Sequence, residues 1–203
     1  NSPKVGRYRL DGEIARGGMG VIQKVWDANL RRSVARKLLG KGPSGSDSRQ
    51  SDPRSVGRFL EEAQVTGQLD HPGIVPVHEL GLDGDGRVFF TMKLVKGTTL
   101  KSVLELVAEE EEGWTQVRAL GVLSRVCEAM AYAHHKGVVH RDLKPANVMV
   151  GSFGEVYVMD WGLAKVLGRE DKKDLTVARP SAMQELRSER RERAEASPDT
   201  PLL

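Results

Sequence analysis

The densest chemistry in the chain lies in His140-Arg141-Asp142-Leu143-Lys144-Pro145-Ala146-Asn147, followed at a short distance by Asp160-Trp161-Gly162. Two short apolar runs, Val148–Val150 and Glu155–Met159, flank Gly151-Ser152-Phe153-Gly154 and predict a hairpin across that turn. In that register Val150 opposes Glu155 and Asn147 opposes Val158, so Asn147 and Asp160 emerge at the same end. Asp142 lies just upstream, and Lys144 sits between it and Asn147. Oxygen ligands of this kind, with one or two carboxylates, suit Mg²⁺, which keeps several waters and takes further ligands from substrate phosphates. Turn-capping would explain any one of these polar residues; it explains the whole set poorly.

Three further pieces lie upstream. Ala15-Arg16-Gly17-Gly18-Met19-Gly20 matches a G-x-G-x-x-G turn with alanine in the first position. Such turns let backbone N–H groups approach phosphate oxygens with no Cβ in the way. A dinucleotide-binding fingerprint needs a helix directly after the glycines, and here a β-rich run follows. The second piece is Lys37, which strand alternation puts on one face with Ala35 and Leu39. A lysine between apolar neighbours either snorkels to water or meets an anion. The third is Glu62. At about 100° per residue it lies on the border of the stripe formed by Val56, Phe59, Leu60, Ala63 and Gly67, whereas Glu61 points away as a solvated charge. Glu62 is therefore the acid able to pair with Lys37.

In this order the pieces resemble the signature set of eukaryotic-type serine/threonine protein kinases, of the branch common in bacteria, from Tyr8 to Lys165. The resemblance implies that Gly17, Gly18 and Gly20 cover the ATP phosphates, with Ile14, Ile22 and Ala35 around the nucleotide. It implies that Lys37 binds the α- and β-phosphates and pairs with Glu62. Asp142 would accept or orient the substrate hydroxyl proton, Lys144 would neutralise the γ-phosphate, and Asn147 and Asp160 would hold Mg²⁺. The run Phe89–Gly97 is similar to the family's strand and hinge: Met92 would border the adenine pocket, and the backbones of Lys93 and Val95 would hydrogen-bond the adenine. The implied activity is ATP- and Mg²⁺-dependent phosphoryl transfer to Ser/Thr hydroxyls of protein substrates. The competing expectation is a non-catalytic module that binds nucleotide or a partner.

Three departures stand out. Ala15 replaces the first glycine, and Trp161 replaces the usual phenylalanine beside Asp160. After Val166 there is no A-P-E motif and no helical continuation of the family's lower lobe, so residues 1–203 are expected to be a truncated form, unstable below the cleft and weak or inactive in transfer. Thr176 is the candidate activation-segment phosphosite, to be read by Arg141.

The elements that must position these residues follow from the hydrophobic pattern. Val21–Trp26 and Ser33–Leu39 predict an antiparallel pair, and Ile74–Leu80 with Arg87–Val95 predict two more strands around Asp83-Gly84-Asp85-Gly86. Gly40–Ser55, rich in glycine and serine, reads as a loop before a helix starting near Val56. Leu100–Val107 and Gln116–Lys136 read as helices. The second carries Val117, Leu120, Leu123, Cys127, Met130 and His134 on one face, and Gly137 at its C-cap. That assigns Cys127 to the core, His134 and His135 to a helix end, His71 to a turn, and Trp26 and Trp114 to packing. Ser181 and Gln184 could form a capping box, but Pro180–Leu203 has almost no apolar face and little reason to dock. The expected class is α+β with two lobes: a β-rich N-lobe with one helix over residues 8–95, a partial and mainly helical C-lobe over 96–168, and a divergent or disordered tail over 169–203.

Composition narrows the function classes. The chain has 203 residues, 39% of them apolar, with 22 glycines beyond that set, which excludes a wholly disordered or collagen-like chain. Lys+Arg 31 against Asp+Glu 28 gives +3, with the signs interspersed, too mild for nucleic acid as the main partner. A single cysteine excludes an internal disulfide and points to a reducing, cytoplasmic compartment. No run is long enough to span a membrane, although a longer parent could be anchored.

Overall fold

A computed structural model describes residues 7–17, 20–40, 53–110, 113–167 and 182–195. The N-terminal half is a five-stranded antiparallel sheet with one helix against it. Strands β1 (Tyr8–Gly17), β2 (Gly20–Asp27) and β3 (Arg32–Leu39) follow in sequence. Helix α1 (Pro53–Gln68) intervenes, and β4 (Val77–Leu82) and β5 (Val88–Met92) complete the order β1-β2-β3-β5-β4. Alternation along β3 and β5 sends Ala35, Leu39, Phe90 and Met92 into one core with Phe59, Leu60 and Ala63 of α1. Helix α1 begins at Pro53 rather than near Val56, because proline's fixed φ suits a first helical turn. The expected strand from Ile74 begins only at Val77, and Ile74 instead makes an isolated parallel bridge to Val158.

The second half is built around helices α2 (Leu100–Ala108) and α3 (Gln116–His135), N-capped by the Thr99 and Thr115 hydroxyls. Short strands knit it together. β6 (Gly97–Thr99), β8 (Val148–Gly151) and β9 (Val156–Val158) form a three-stranded sheet in the order β6-β8-β9, and β7 (Val138–Val139) pairs with β10 (Lys165–Val166). Gly97 is obligatory there: a Cβ would stand 2.0 Å from the Val150 carbonyl oxygen. The result is a two-lobed α+β arrangement, a five-stranded sheet lobe with one helix followed by a mainly helical lobe.

Three expectations need correction. The β8–β9 register is displaced by one residue: Val150 opposes Val156 and Val148 opposes Val158. Gly151 N–H donates to the Glu155 carbonyl (2.7 Å), so the turn closes on Glu155 rather than on Gly154. Next, α3 is rotated from its expected face. Ala119, Val122, Val126, Ala129 and Ala133 are buried, with Met130 of the expected face beside them, while Val117 (79% exposed), Leu120 (62%) and Leu123 (39%) face outward and Cys127 is exposed. The buried set has the same 3-4 spacing one position earlier, a turn of about 100°. Small side chains let α3 approach β7 and β9 closely, and the larger stripe is left outside. Last, the tail contains helix α4 (Ala182–Glu195), which packs on β4 and adds Leu186 to the upper core. Among the described side chains of α4, Leu186 is partly buried and the others are exposed. Ser181 of the expected capping box, Thr176, and residues 41–52 of the glycine-serine loop lie outside the described residues.

Candidate active site

A cleft of about 650 Å³ opens between the two lobes, and almost all of the expected site residues line it. Its upper wall is the underside of β1–β3 and β5. Alternation turns Ala35 and Lys37 of β3 downward, and Ile14 and Ile22 bracket the mouth. Gly17 and Gly20 stand where β1 turns into β2; Gly18 lies outside the described residues. Gly20 has φ +148°, and a Cβ there would come within 2.1 Å of the Leu38 carbonyl oxygen, so this position tolerates glycine alone.

The Lys37 ammonium reaches Glu62 of α1 at 2.6 and 2.8 Å, both groups being buried. Lys37 also stands 3.8 Å from the Asp160 carboxylate, so one cation faces an acid from each lobe. Burial pushes the Glu62 carboxyl above its ordinary range; Lys37 pulls it back, and the Asp160 charge adds to the rise. Such a raised acid favours folding at low pH, and that contribution is lost as pH rises through its folded-state pKa. The ion pair is therefore held in place by structure at some cost in stability near neutrality.

The lower wall comes from the segment between β7 and β9. His140 Nε2 bonds the Met159 carbonyl (2.9 Å); a carbonyl only accepts, so the ring proton sits on Nε2 and Nδ1 accepts the Asp142 N–H (3.3 Å). His140 thereby orients the backbone of Asp142. Asn147, in the 3₁₀ turn Pro145–Asn147, donates Nδ2 to the Asp142 carbonyl (2.9 Å) and carboxylate (3.1 Å), leaving Oδ1 as its acceptor face. Lys144 bonds the same carboxylate at 2.8 Å without lining the cleft itself. The Lys144 hydrogen bond, with help from Asn147, holds the Asp142 carboxyl below its usual range. The Asn147 carbonyl accepts the Met159 N–H at 2.8 Å, which brings Asn147 and Asp160 to one end of the hairpin despite the shifted register.

At the junction of the lobes Met92 closes the back of the cleft. The expectation for Lys93 is narrowed: its N–H donates to the Pro76 carbonyl (3.0 Å), leaving only its own carbonyl for a ligand. Its ammonium bonds the Tyr157 hydroxyl and lies 4.6 Å over that ring, away from the cleft. Val95 lines the cleft beside it. Sequence reasoning missed Met149, which forms the apolar floor. Alternation could have found it, because Val148 and Val150 are buried on the other face of β8.

With the Asp142 and Glu62 carboxylates bonded to Lys144 and Lys37, the oxygen donors the cleft leaves for a metal are the Asp160 carboxylate and the Asn147 Oδ1; among the described residues no group of three His, Cys, Asp or Glu gathers. Such a pair cannot cage an ion alone. It fits Mg²⁺ held jointly with phosphates and water.

Comparison with known proteins gives a consistent picture. The protein kinase domain model matches residues 8–184. The serine/threonine-protein kinase PknD of Protochlamydia amoebophila is 36% identical over 184 residues, covering 87% of this chain and 18% of that protein. PknD of Chlamydia muridarum is 41% identical over 165 residues, covering 78% of this chain and 17% of its own length. PknA of Mycobacterium tuberculosis is 40% identical over 176 residues, 82% of this chain and 38% of the relative. The chain thus spans less than two fifths of the length of each of these relatives.

Proposed function

The chain belongs to the protein kinase family, and on that footing we propose that it transfers the γ-phosphoryl group of ATP, with Mg²⁺, to a Ser or Thr hydroxyl of a protein. The observation that carries the reading is the pairing of two walls across one cleft. Above, Lys37 is held by Glu62 at 2.6 Å; below, Asp142 is held by Lys144 and Asn147. Ile14, Ile22, Ala35 and Met149 offer apolar surface to the adenine, with Met92 behind it and the Lys93 carbonyl and Val95 backbone at its edge. Gly17 and Gly20 let the strand turn approach the phosphates, and Lys37 faces the α- and β-phosphates. Asp160 and Asn147 would hold the metal, which supplies charge neutralisation on the transferring group. Asp142, kept ionised by Lys144, orients the acceptor hydroxyl and takes its proton; Lys144 then faces the γ-phosphate. Most of the rate comes from positioning and charge complementarity, since little covalent chemistry falls to the protein.

The relatives named as serine/threonine-protein kinases support the choice of acceptor. A single cysteine agrees with a reducing, cytoplasmic setting; no described helix is long and apolar enough to cross a membrane. A second reading, nucleotide binding without turnover, is favoured by one observation: Lys144, the residue meant to face the γ-phosphate, is tied to Asp142 and does not line the cleft.

Single-turnover transfer from ATP to a Ser/Thr peptide separates the two. Asp142→Asn keeps the shape and loses the accepting charge, so the rate should fall by about 10²–10⁴ with ATP affinity unchanged. A variant within about tenfold of wild type would exclude Asp142 as the base. ATP binding with no transfer by the wild type would favour the second reading.

A further inference from the structure

Asp160 poses a problem that its own contacts do not solve. Its backbone is left-handed, with φ +58°, and its carboxylate is 52% exposed, with the Lys37 ammonium 3.8 Å away. A non-glycine residue in that conformation persists only where its surroundings over-determine it. The next residue, Trp161, is 1% exposed. Its ring lies 4.6 Å from the His140 ring, and its Nε1–H donates to the Val158 carbonyl at 3.3 Å. That carbonyl is anchored: Val158 N–H donates to Gly73 (2.8 Å), and the Val158 carbonyl also receives Val75 N–H at 3.5 Å. The indole bond therefore spans Asp160 like a staple, from Trp161 back to a strand end fixed against the upper lobe.

Phenylalanine could fill much of this space but has no proton to donate. Swinging the aromatic ring outward would break the bond and give up the packing on His140. We propose that Trp161 is a positioning residue whose indole hydrogen bond to Val158 holds Asp160 in its left-handed conformation, pre-setting the carboxylate for a nucleotide-bound divalent cation. The last clause rests on the proposed function; the staple does not.

The test replaces Trp161 in two ways in the full chain: Trp161→Phe, and site-specific incorporation of benzothienylalanine, which keeps the two-ring shape and lacks the N–H. Two quantities are read. One is exchange of the Ala164 amide, which donates to the Trp161 carbonyl at 2.9 Å, in protein without nucleotide. The other is the gain in ADP affinity on adding Mg²⁺. Loss of one hydrogen bond should speed the exchange by on the order of fivefold in both variants, and should reduce the Mg²⁺-dependent gain by a similar factor while leaving Mg²⁺-free ADP affinity unchanged. If benzothienylalanine behaves as wild type and only phenylalanine differs, packing alone matters and the proposal is overturned. Should Trp161→Phe fail to fold, the isostere decides by itself. Should wild type bind no Mg²⁺-nucleotide, the functional reading falls, and the Ala164 exchange still decides the staple.

Discussion

Asp142 has three partners, and each does something different. The His140 ring fixes its backbone, Asn147 fixes its carboxylate plane, and Lys144 supplies the charge that keeps it ionised. The hydrogen bond from Lys144 leads the downward shift of its pKa. Lys144→Met should therefore raise the Asp142 pKa toward the ordinary carboxylate value, read as the midpoint of its carboxyl-carbon NMR titration. The acidic limb of any transfer activity should move to higher pH with it. An unchanged midpoint would mean that Asn147, not Lys144, controls the charge. At this scale much of the placement was legible in the sequence, because a side chain's position follows from period and neighbour: Lys37 on the cleft face by strand alternation, Glu62 rather than Glu61 against it by its angle to Phe59. Trp161 was legible only as a replacement for the usual phenylalanine, since the acceptor for its N–H exists only once β9 is in place.

Elements were less legible than residues, and α3 says why. Its sequence carries two stripes at the same spacing, one with Leu120, Leu123 and Met130 and one of alanines and valines, and periodicity alone favours the bulkier. Close approach to β7 and β9 decides for the smaller. This has an expected outcome in thermal or denaturant unfolding. Ala129→Leu, at a fully buried position, should cost about 1–3 kcal/mol by overpacking, whereas Leu120→Ser on the exposed stripe should stay within about 0.5 kcal/mol. The reverse pattern would mean that the helix is rotated the other way. The β8–β9 register was missed by one residue for a similar reason: the choice between closing on Gly154 and on Glu155 rests on the Gly151–Glu155 hydrogen bond, which pattern does not encode. The error did not move Asn147 away from Asp160, because both lie at the open end of the hairpin.

Across the whole molecule, the cleft exists because two separately built lobes are tied at their junction. Val75 and Gly73 bond to Val158, and the Lys93 side chain to Tyr157. Those ties bring Lys37 and Glu62 over Asp160, a convergence of residues far apart in the chain that only the fold can produce. The central claim is that this convergence is a binding site for MgATP in which Lys37 meets the phosphates. Isothermal titration of MgATP into the wild type and Lys37→Met tests it directly. The account predicts saturable binding of one nucleotide per chain, weakened at least about tenfold by Lys37→Met, the loss expected for a charge-assisted hydrogen bond to phosphate. Equal affinity in the two proteins, or no binding to the wild type, would contradict it.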